Sequence, residues 1–320
     1  MGGGISTPGR RGGRTLEEAL VELASGAAVP TRSTGWARAG DFLIFVKPHI
    51  DVTFVAVAVA GAVVSWQRSG PFPLSQVLLL AGSVALLSSG AECWTNVRDR
   101  DLDAVMPRTQ GRPLVSGRIA VPEALLLALV LTGSGLGLAA LLGPVALGFL
   151  AFALLSNVVV YSLLTKRATP WSIVLGSVVG ALPLWAGAAA VREPLPAAAW
   201  MLGGTVGIWI FVHIWVIALR YRDDYAAGAV PMAPLVWSPG RLRTALLASA
   251  AGMGALAVAS LLSLRGPAVP EAVALTGAFS AAILAGTALV PVRPQLAGPL
   301  IHLITIYLLV VLGAAVACAL

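Results

Sequence analysis

The chain has 320 residues, of which 58% are hydrophobic and only 11% charged, with a formal net charge of +7. A mean hydropathy of +0.89 and apolar runs of about 17 to 23 residues exclude an ordinary soluble domain and imply a polytopic membrane protein. The basic excess lies at the ends of the apolar runs rather than on a polar face, which argues against nucleic acid as a partner.

In chain order, residues 1–40 come first, rich in Gly, Arg, Ser and Thr and without the apolar stretch of a cleavable signal peptide. They read as a cytoplasmic tail, disordered at its start, with TLEEALVELA (residues 15–24) as a short surface helix. Residues 41–320 form one transmembrane domain. Nine spans are expected at about 50–66, 76–94, 122–141, 145–163, 172–191, 196–219, 243–263, 270–290 and 298–318. Inside a bilayer the backbone must satisfy its own hydrogen bonds, so the expected fold is all-α, a bundle of nine helices. Gly and Pro punctuate the connections WQRSGPFP, LLGP, TKRATP, VREPLP, LRGPAVP and PVRPQ. Cys93 and Cys318 lie in or beside apolar runs with no CxxC or histidine partner, and read as packing residues.

Lys and Arg set the expected orientation. With a cytoplasmic amino terminus, the tail and the loops after the second, fourth, sixth and eighth spans hold 18 of the 21 basic residues. The other side holds only Arg68, Arg192 and Arg265. This bias places the protein in a membrane, expected to be a bacterial inner membrane, with its charged loops in the cytoplasm.

Two of those loops, residues 95–121 and 220–242, are long and polar, which is where binding and catalysis commonly sit. The first contains NVRDRDLDAVMPRTQGR. On a helix Asn96, Asp99 and Asp103, at i, i+3 and i+7, project from one face, while Asp101 points away. Carboxylates so placed repel unless a cation lies between them. Magnesium suits the position, because it takes few protein oxygens and is completed by waters and phosphate oxygens. Arg108 and Arg112 supply countercharge for that anion.

The second cluster lies in HIWVIALRYRDDYAAGAVPMAP. His213, Arg220 and Asp224, at i, i+7 and i+11, form one helical stripe with Asp223 on its flank, and Pro231 and Pro234 end the helix. Opposite the first cluster it makes a two-sided acidic mouth rimmed by Arg108, Arg112, Lys166, Arg167, Arg220 and Arg222. A diphosphate bridged by magnesium needs such a site.

The stretch NVRDRDLDAVMPRTQGRPL resembles the first aspartate-rich motif of the UbiA superfamily of intramembrane prenyltransferases. HIWVIALRYRDDYAAGAVPMAPLV is similar to the second motif of its protohaem IX farnesyltransferase branch. Lys47-Pro48, Tyr161, Lys166-Arg167, Thr169 and the run Gly180-Ala181-Leu182-Pro183 match that branch in order, so the resemblance covers about residues 42–310. It implies nine helices around a central cavity, a magnesium held by Asn96, Asp99 and Asp103, and a second served by Asp223 and Asp224. Asn96, Asp99, Asp103 and Asp224 would then be catalytic, with Lys47, Arg108, Arg112, Lys166 and Arg220 on the diphosphate.

The implied reaction moves a farnesyl group from farnesyl diphosphate to a vinyl group of haem B, giving haem O, with haem as substrate and no redox cofactor. Membrane lipid is the other partner. Some residues depart from the branch: Val212 before His213, Leu184 and Trp185 after Pro183, Asp51 in the first span, and Glu92 four residues before Asn96. They bear on the acceptor, so Glu92, Tyr161, Trp185 and His213 are the candidate acceptor or cavity residues. The alternatives are an aromatic or quinone-precursor prenyltransferase, a membrane terpene cyclase, and a transporter. Acids at the rim rather than at mid-membrane weigh against the last.

Overall fold

A computed structural model describes residues 35–66, 68 and 70–320. The tail helix expected at residues 15–24 lies outside them. Among the described residues there are nine helices long and apolar enough to cross a membrane, and no strand.

Helix α1 (Gly35–Val46) precedes the first span, and composition alone does not signal it. Lys47, at φ 54, turns the chain between α1 and α2 (Pro48–Trp66). Then come α3 (Leu74–Arg98), the short α4 (Arg100–Val105), α5 (Val121–Ala140) and α6 (Pro144–Leu155). Without leaving the membrane, α6 passes into a π-helix over Ser156–Thr165. The fifth span divides at Ser177 into α7 (Ser172–Gly176) and α8 (Val178–Val191). The remainder is α9 (Ala197–Arg220), α10 (Arg222–Ala227), α11 (Ala233–Val236), α12 (Pro239–Leu262), α13 (Val269–Leu289) and α14 (Ala297–Ala319).

Local chemistry sets these boundaries. Proline stands in the first turn of α5, α6, α12 and α13, where a missing N–H costs nothing. The Ser238 hydroxyl caps α12 by accepting from the Arg241 N–H at 3.3 Å. Gly143, at φ 100, makes the tight turn into α6.

Helices α2 and α8 cross at backbone contact. A Cβ on Gly61 would stand 2.0 Å from the Leu184 carbonyl oxygen, and one on Gly187 would stand 2.0 Å from that of Ala58. Between membrane helices close packing substitutes for hydrophobic drive, so small residues mark the tightest crossing. The outward faces carry exposed Leu126, Leu129, Val130, Leu262 and Leu309, apolar groups that match lipid. Because spans alternate in direction, Lys47 and both long loops gather at one end of the bundle.

Candidate active site

The first cluster is built at the joint between α3 and α4. Asp99 (φ −95, ψ 6) interrupts the helix. The ladder still continues through it, since Asp99 donates its N–H to the Thr95 carbonyl and Asp103 to that of Asp99, both at 2.8 Å. Asn96, Asp99 and Asp103 are therefore brought to one side, each 6% exposed. Asp101 points outward, as its spacing predicts.

Each of these acids meets a cation from another part of the chain. Lys166 donates to Asp99 Oδ2, and Arg112 Nη1 to Asp103 Oδ2 at 2.5 Å. Arg167 forks onto both oxygens of Asp101 at 2.6 and 2.7 Å and onto the Arg98 carbonyl at 2.8 Å. That fork, largest among the causes, holds the Asp101 carboxyl down to about 2. Asp99 Oδ1 is buried without a hydrogen bond and lies 3.8 Å from Arg167. The Asn96 amide accepts from Lys47 Nζ at 3.3 Å and donates to the Phe45 carbonyl at 3.0 Å. Lys47 in turn pairs with Glu92 Oε2 at 2.5 Å.

Lys166 owes its position to the π-helix. Its N–H reaches back five residues to the Tyr161 carbonyl at 2.8 Å, and the Thr165 hydroxyl donates to the Val160 carbonyl at 2.8 Å. The wider turn rotates the residues beyond it relative to a continuous α-helix, and such segments recur at functional sites. Lys166 lies over the Tyr161 ring, 5.7 Å from its centroid. Burial works against the Lys166 charge, but the neighbouring oxygens of Tyr161 and Asp99 outweigh it and raise its pKa.

The second cluster departs from its expected form. Tyr221 (φ −114, ψ 40) breaks the helix after Arg220, so His213, Arg220 and Asp224 do not share one uninterrupted stripe. The next helix ends at Gly228, ahead of Pro231, and Pro234 opens α11 rather than closing anything. The two clusters nonetheless face each other. Arg108 Nε, from the first loop, donates to Asp224 Oδ2 at 3.3 Å. Its guanidinium lies 5.0 Å from the Tyr221 ring centroid, with Arg220 at 5.8 Å. Asp223 is exposed on α10.

Below the first cluster, between α2, α3, α6, the π-helix and α8, lies a partly open pocket. Phe54, Leu87, Ala91, Leu150, Val179 and Pro183 supply apolar wall, and Ser88, Glu92 and Asn157 a polar corner. Glu92 therefore joins the pocket to the charged end through Lys47. A smaller cleft at the mouth is lined by Ile44, Lys47, Asn96, Asp103 and Arg112.

Of the four expected cavity residues, Glu92 lines this pocket and Tyr161 underlies Lys166. Trp185 is a correction: it packs on Trp200 (4.9 Å between centroids) and Phe149 (5.9 Å), its indole N–H donating to the Ala199 carbonyl at 3.2 Å. Two residues past Pro183, it points to the far end of α9. His213 does not line the pocket either. It stacks on Trp209 at 4.9 Å and 12°, and Trp209 is tied to the Ile304 carbonyl of α14 at 2.7 Å. Asn157 and Ser88 escape sequence reasoning, since an isolated amide or hydroxyl in an apolar run carries no spacing signal.

The chain is a helical membrane bundle that carries buried aspartates clasped by cations at one end and an apolar pocket between its helices. The chain belongs to the UbiA prenyltransferase family, whose family model matches residues 54–294. It is a transferase of prenyl groups. Its relatives include the Protoheme IX farnesyltransferase of Korarchaeum cryptofilum, 39% identical over 72% of this chain and 76% of that one. That of Thermoplasma volcanium is 41% identical over 59% of this chain and 66% of that one. Among solved structures, a UbiA homolog from Aeropyrum pernix shares the fold with a TM-score of 0.65 at 24% identity, covering 82% of this chain and 98% of that one. A UbiA homolog from Archaeoglobus fulgidus bound to GPP and Mg2+ gives 0.66 at 17% identity, covering 86% and 99%.

Proposed function

We propose that this chain transfers a farnesyl group from farnesyl diphosphate to the vinyl group of haem B, forming haem O, at the cytoplasmic face of a bacterial inner membrane. The observation that carries the reading is the pair of buried aspartates Asp99 and Asp103, each held by a basic residue, at the end of the helix whose Ser88 and Glu92 line an apolar pocket. Relatives named protoheme IX farnesyltransferase support haem as acceptor. The concentration of basic residues at the charged end supports its cytoplasmic orientation.

The residues present suit magnesium. Asp99 Oδ1 is a buried oxygen without a hydrogen-bond donor, which a cation would satisfy. Magnesium takes few protein oxygens and completes its shell with water and phosphate. Asn96, Asp99 and Asp103 would hold one ion, and Asp224 with Asp223 a second. When bound, magnesium neutralises charge on the leaving diphosphate.

The basic residues have a second task in this reading. Lys47, Lys166, Arg108, Arg112 and Arg220 border the mouth, and the first four pair with Glu92, Asp99, Asp224 and Asp103 respectively. A polyanion there competes with those carboxylates for the same cations, so the diphosphate oxygens would draw the basic side chains across. The pocket walls hold the prenyl chain in register with the mouth.

The test is purified protein in detergent with farnesyl diphosphate, Mg2+ and haem B, read by mass spectrometry. A haem product heavier by one farnesyl and one hydroxyl group is expected, lost with chelator and in Asp99→Ala. Undiminished farnesyl diphosphate, in the presence of folded protein, refutes the reading.

A further inference from the structure

The end of the bundle that carries the long loops also holds a cation with no task in prenyl transfer. Arg241, in the first turn of α12, lies 4.5 Å from the ring centroid of Trp237 and 5.8 Å from that of Trp171. The two rings meet edge to face at 4.8 Å, and Trp237 packs on Trp215 of α9 at 5.3 Å. Aromatic rings engage a guanidinium through its face and leave the N–H groups at its edge free for an acceptor. Among the described residues no carboxylate pairs with Arg241, and its side chain donates no hydrogen bond. Two donors in the same cluster are also unmet: the Trp215 indole N–H, in a residue 2% exposed, and the hydroxyl of fully buried Ser172, next to Trp171 in the chain. An indole N–H can only donate. A cation and two unanswered donors together suit a partner that is negative and rich in acceptor oxygens.

The surroundings decide what kind of anion fits. Trp171, Leu175 one turn after it, and Val236 next to Trp237 are exposed by 45%, 50% and 53%, at the ends of spans where lipid meets the bundle. A small soluble anion leaves that apolar surface uncovered, whereas a phospholipid covers it with acyl chain and brings a phosphate to the guanidinium. We propose that Arg241, Trp171 and Trp237 form a binding site for an anionic phospholipid of the leaflet at the charged end of the bundle. The rings hold the guanidinium flat, its edge donates to the phosphodiester oxygens, and the acyl chains lie along Leu175 and Val236. The positive end of the α12 dipole adds to the attraction. Negative net charge is selected because a zwitterionic headgroup carries its own cation beside the phosphate and gains less from Arg241.

The experiment offers the full chain in detergent equal amounts of phosphatidylglycerol and phosphatidylcholine with the same acyl chains, and reads bound lipid by native mass spectrometry. The wild type is expected to retain phosphatidylglycerol over phosphatidylcholine by about tenfold, the worth of charge-assisted hydrogen bonds at one site. Arg241→Gln is expected to abolish that preference. Arg243→Gln, which removes another exposed arginine two positions on, is expected to leave it in place. Should Arg241→Gln not fold, Trp171→Leu, which keeps apolar bulk and removes a ring, is expected to lower the preference by about threefold. Equal retention of the two lipids by the wild type overturns the proposal. So does an equal loss in the Arg241 and Arg243 variants, the mark of diffuse surface charge, or displacement of the lipid by excess inorganic phosphate.

Discussion

Lys166→Met keeps most of the side chain's length and deletes its charge. The Asp99 carboxylate, its side chain only 9% exposed, then loses its closest cation. Removing one partner of a buried ion pair leaves the other charge uncompensated and typically costs about 3–5 kcal/mol. Arg167, 3.8 Å from Asp99 Oδ1 and 29% exposed, offsets a part, which leaves an expected loss of about 2–4 kcal/mol. Asp99→Asn alone costs less, about 1 kcal/mol, because the long Lys166 stem lets the ammonium reach water. The double variant Lys166→Met/Asp99→Asn has no stranded charge, and its loss falls short of the sum by about 2 kcal/mol. Denaturation of the detergent-solubilised protein, followed by tryptophan fluorescence, measures the four corners of this cycle. Additivity within about 0.5 kcal/mol would show that the two residues are energetically independent and would refute the reasoning. Turnover separates stability from chemistry: the double variant is expected to regain stability while remaining inactive.

The geometry predicts three further outcomes. Gly187→Ala places a methyl group 2.0 Å from the Ala58 carbonyl oxygen; the α2–α8 crossing must open, with an expected cost of about 3 kcal/mol or more, seen as lost monodispersity in size-exclusion chromatography. Arg108→Ala is expected to raise the KM for the prenyl diphosphate by about tenfold or more while costing under about 1 kcal/mol of stability, since Arg108 is 42% exposed. The Asp101–Arg167 pair predicts a pH response with a definite sign. Its folded pKa of about 2 lies below the unfolded value of about 4, so its contribution is complete above the unfolded value and is lost as pH falls toward 2. Asp101 is 64% exposed, so Asp101→Asn is expected to cost under about 1 kcal/mol, and nearly the same at pH 5 as at pH 8; a clear difference between those pH values would contradict the assignment.

The spans are legible in the sequence because length and hydropathy act locally: each needs about 20 apolar residues, and the observed helices begin and end within a few positions of the expected ones. The single side shared by Asn96, Asp99 and Asp103 is equally legible, because helical spacing decides it and the ladder persists through the joint at Asp99. Helix α1 is hidden by a tail whose composition signals no core, and its Phe45 becomes buried only against Cys93, Leu114 and Ile119. The stripe expected from His213 to Asp224 fails because nothing in RYRDDY announces a break at Tyr221. The place of Trp185 is not legible, because an aromatic residue in an apolar run is equally consistent with a cavity wall and with a packing cluster.

By itself the sequence determined the membrane class, the all-α fold and the two places where charge concentrates, since these depend on composition and on spacing along a single helix. Only the tertiary structure decided which cation meets which carboxylate. Lys166 reaches Asp99 across 67 positions and Arg108 reaches Asp224 across 116, pairings that depend on how the π-helix and the broken α9 aim their ends. Tertiary structure also joined Glu92 with Asn157 in one pocket, because a cavity belongs to the space between helices and leaves no pattern on any one of them.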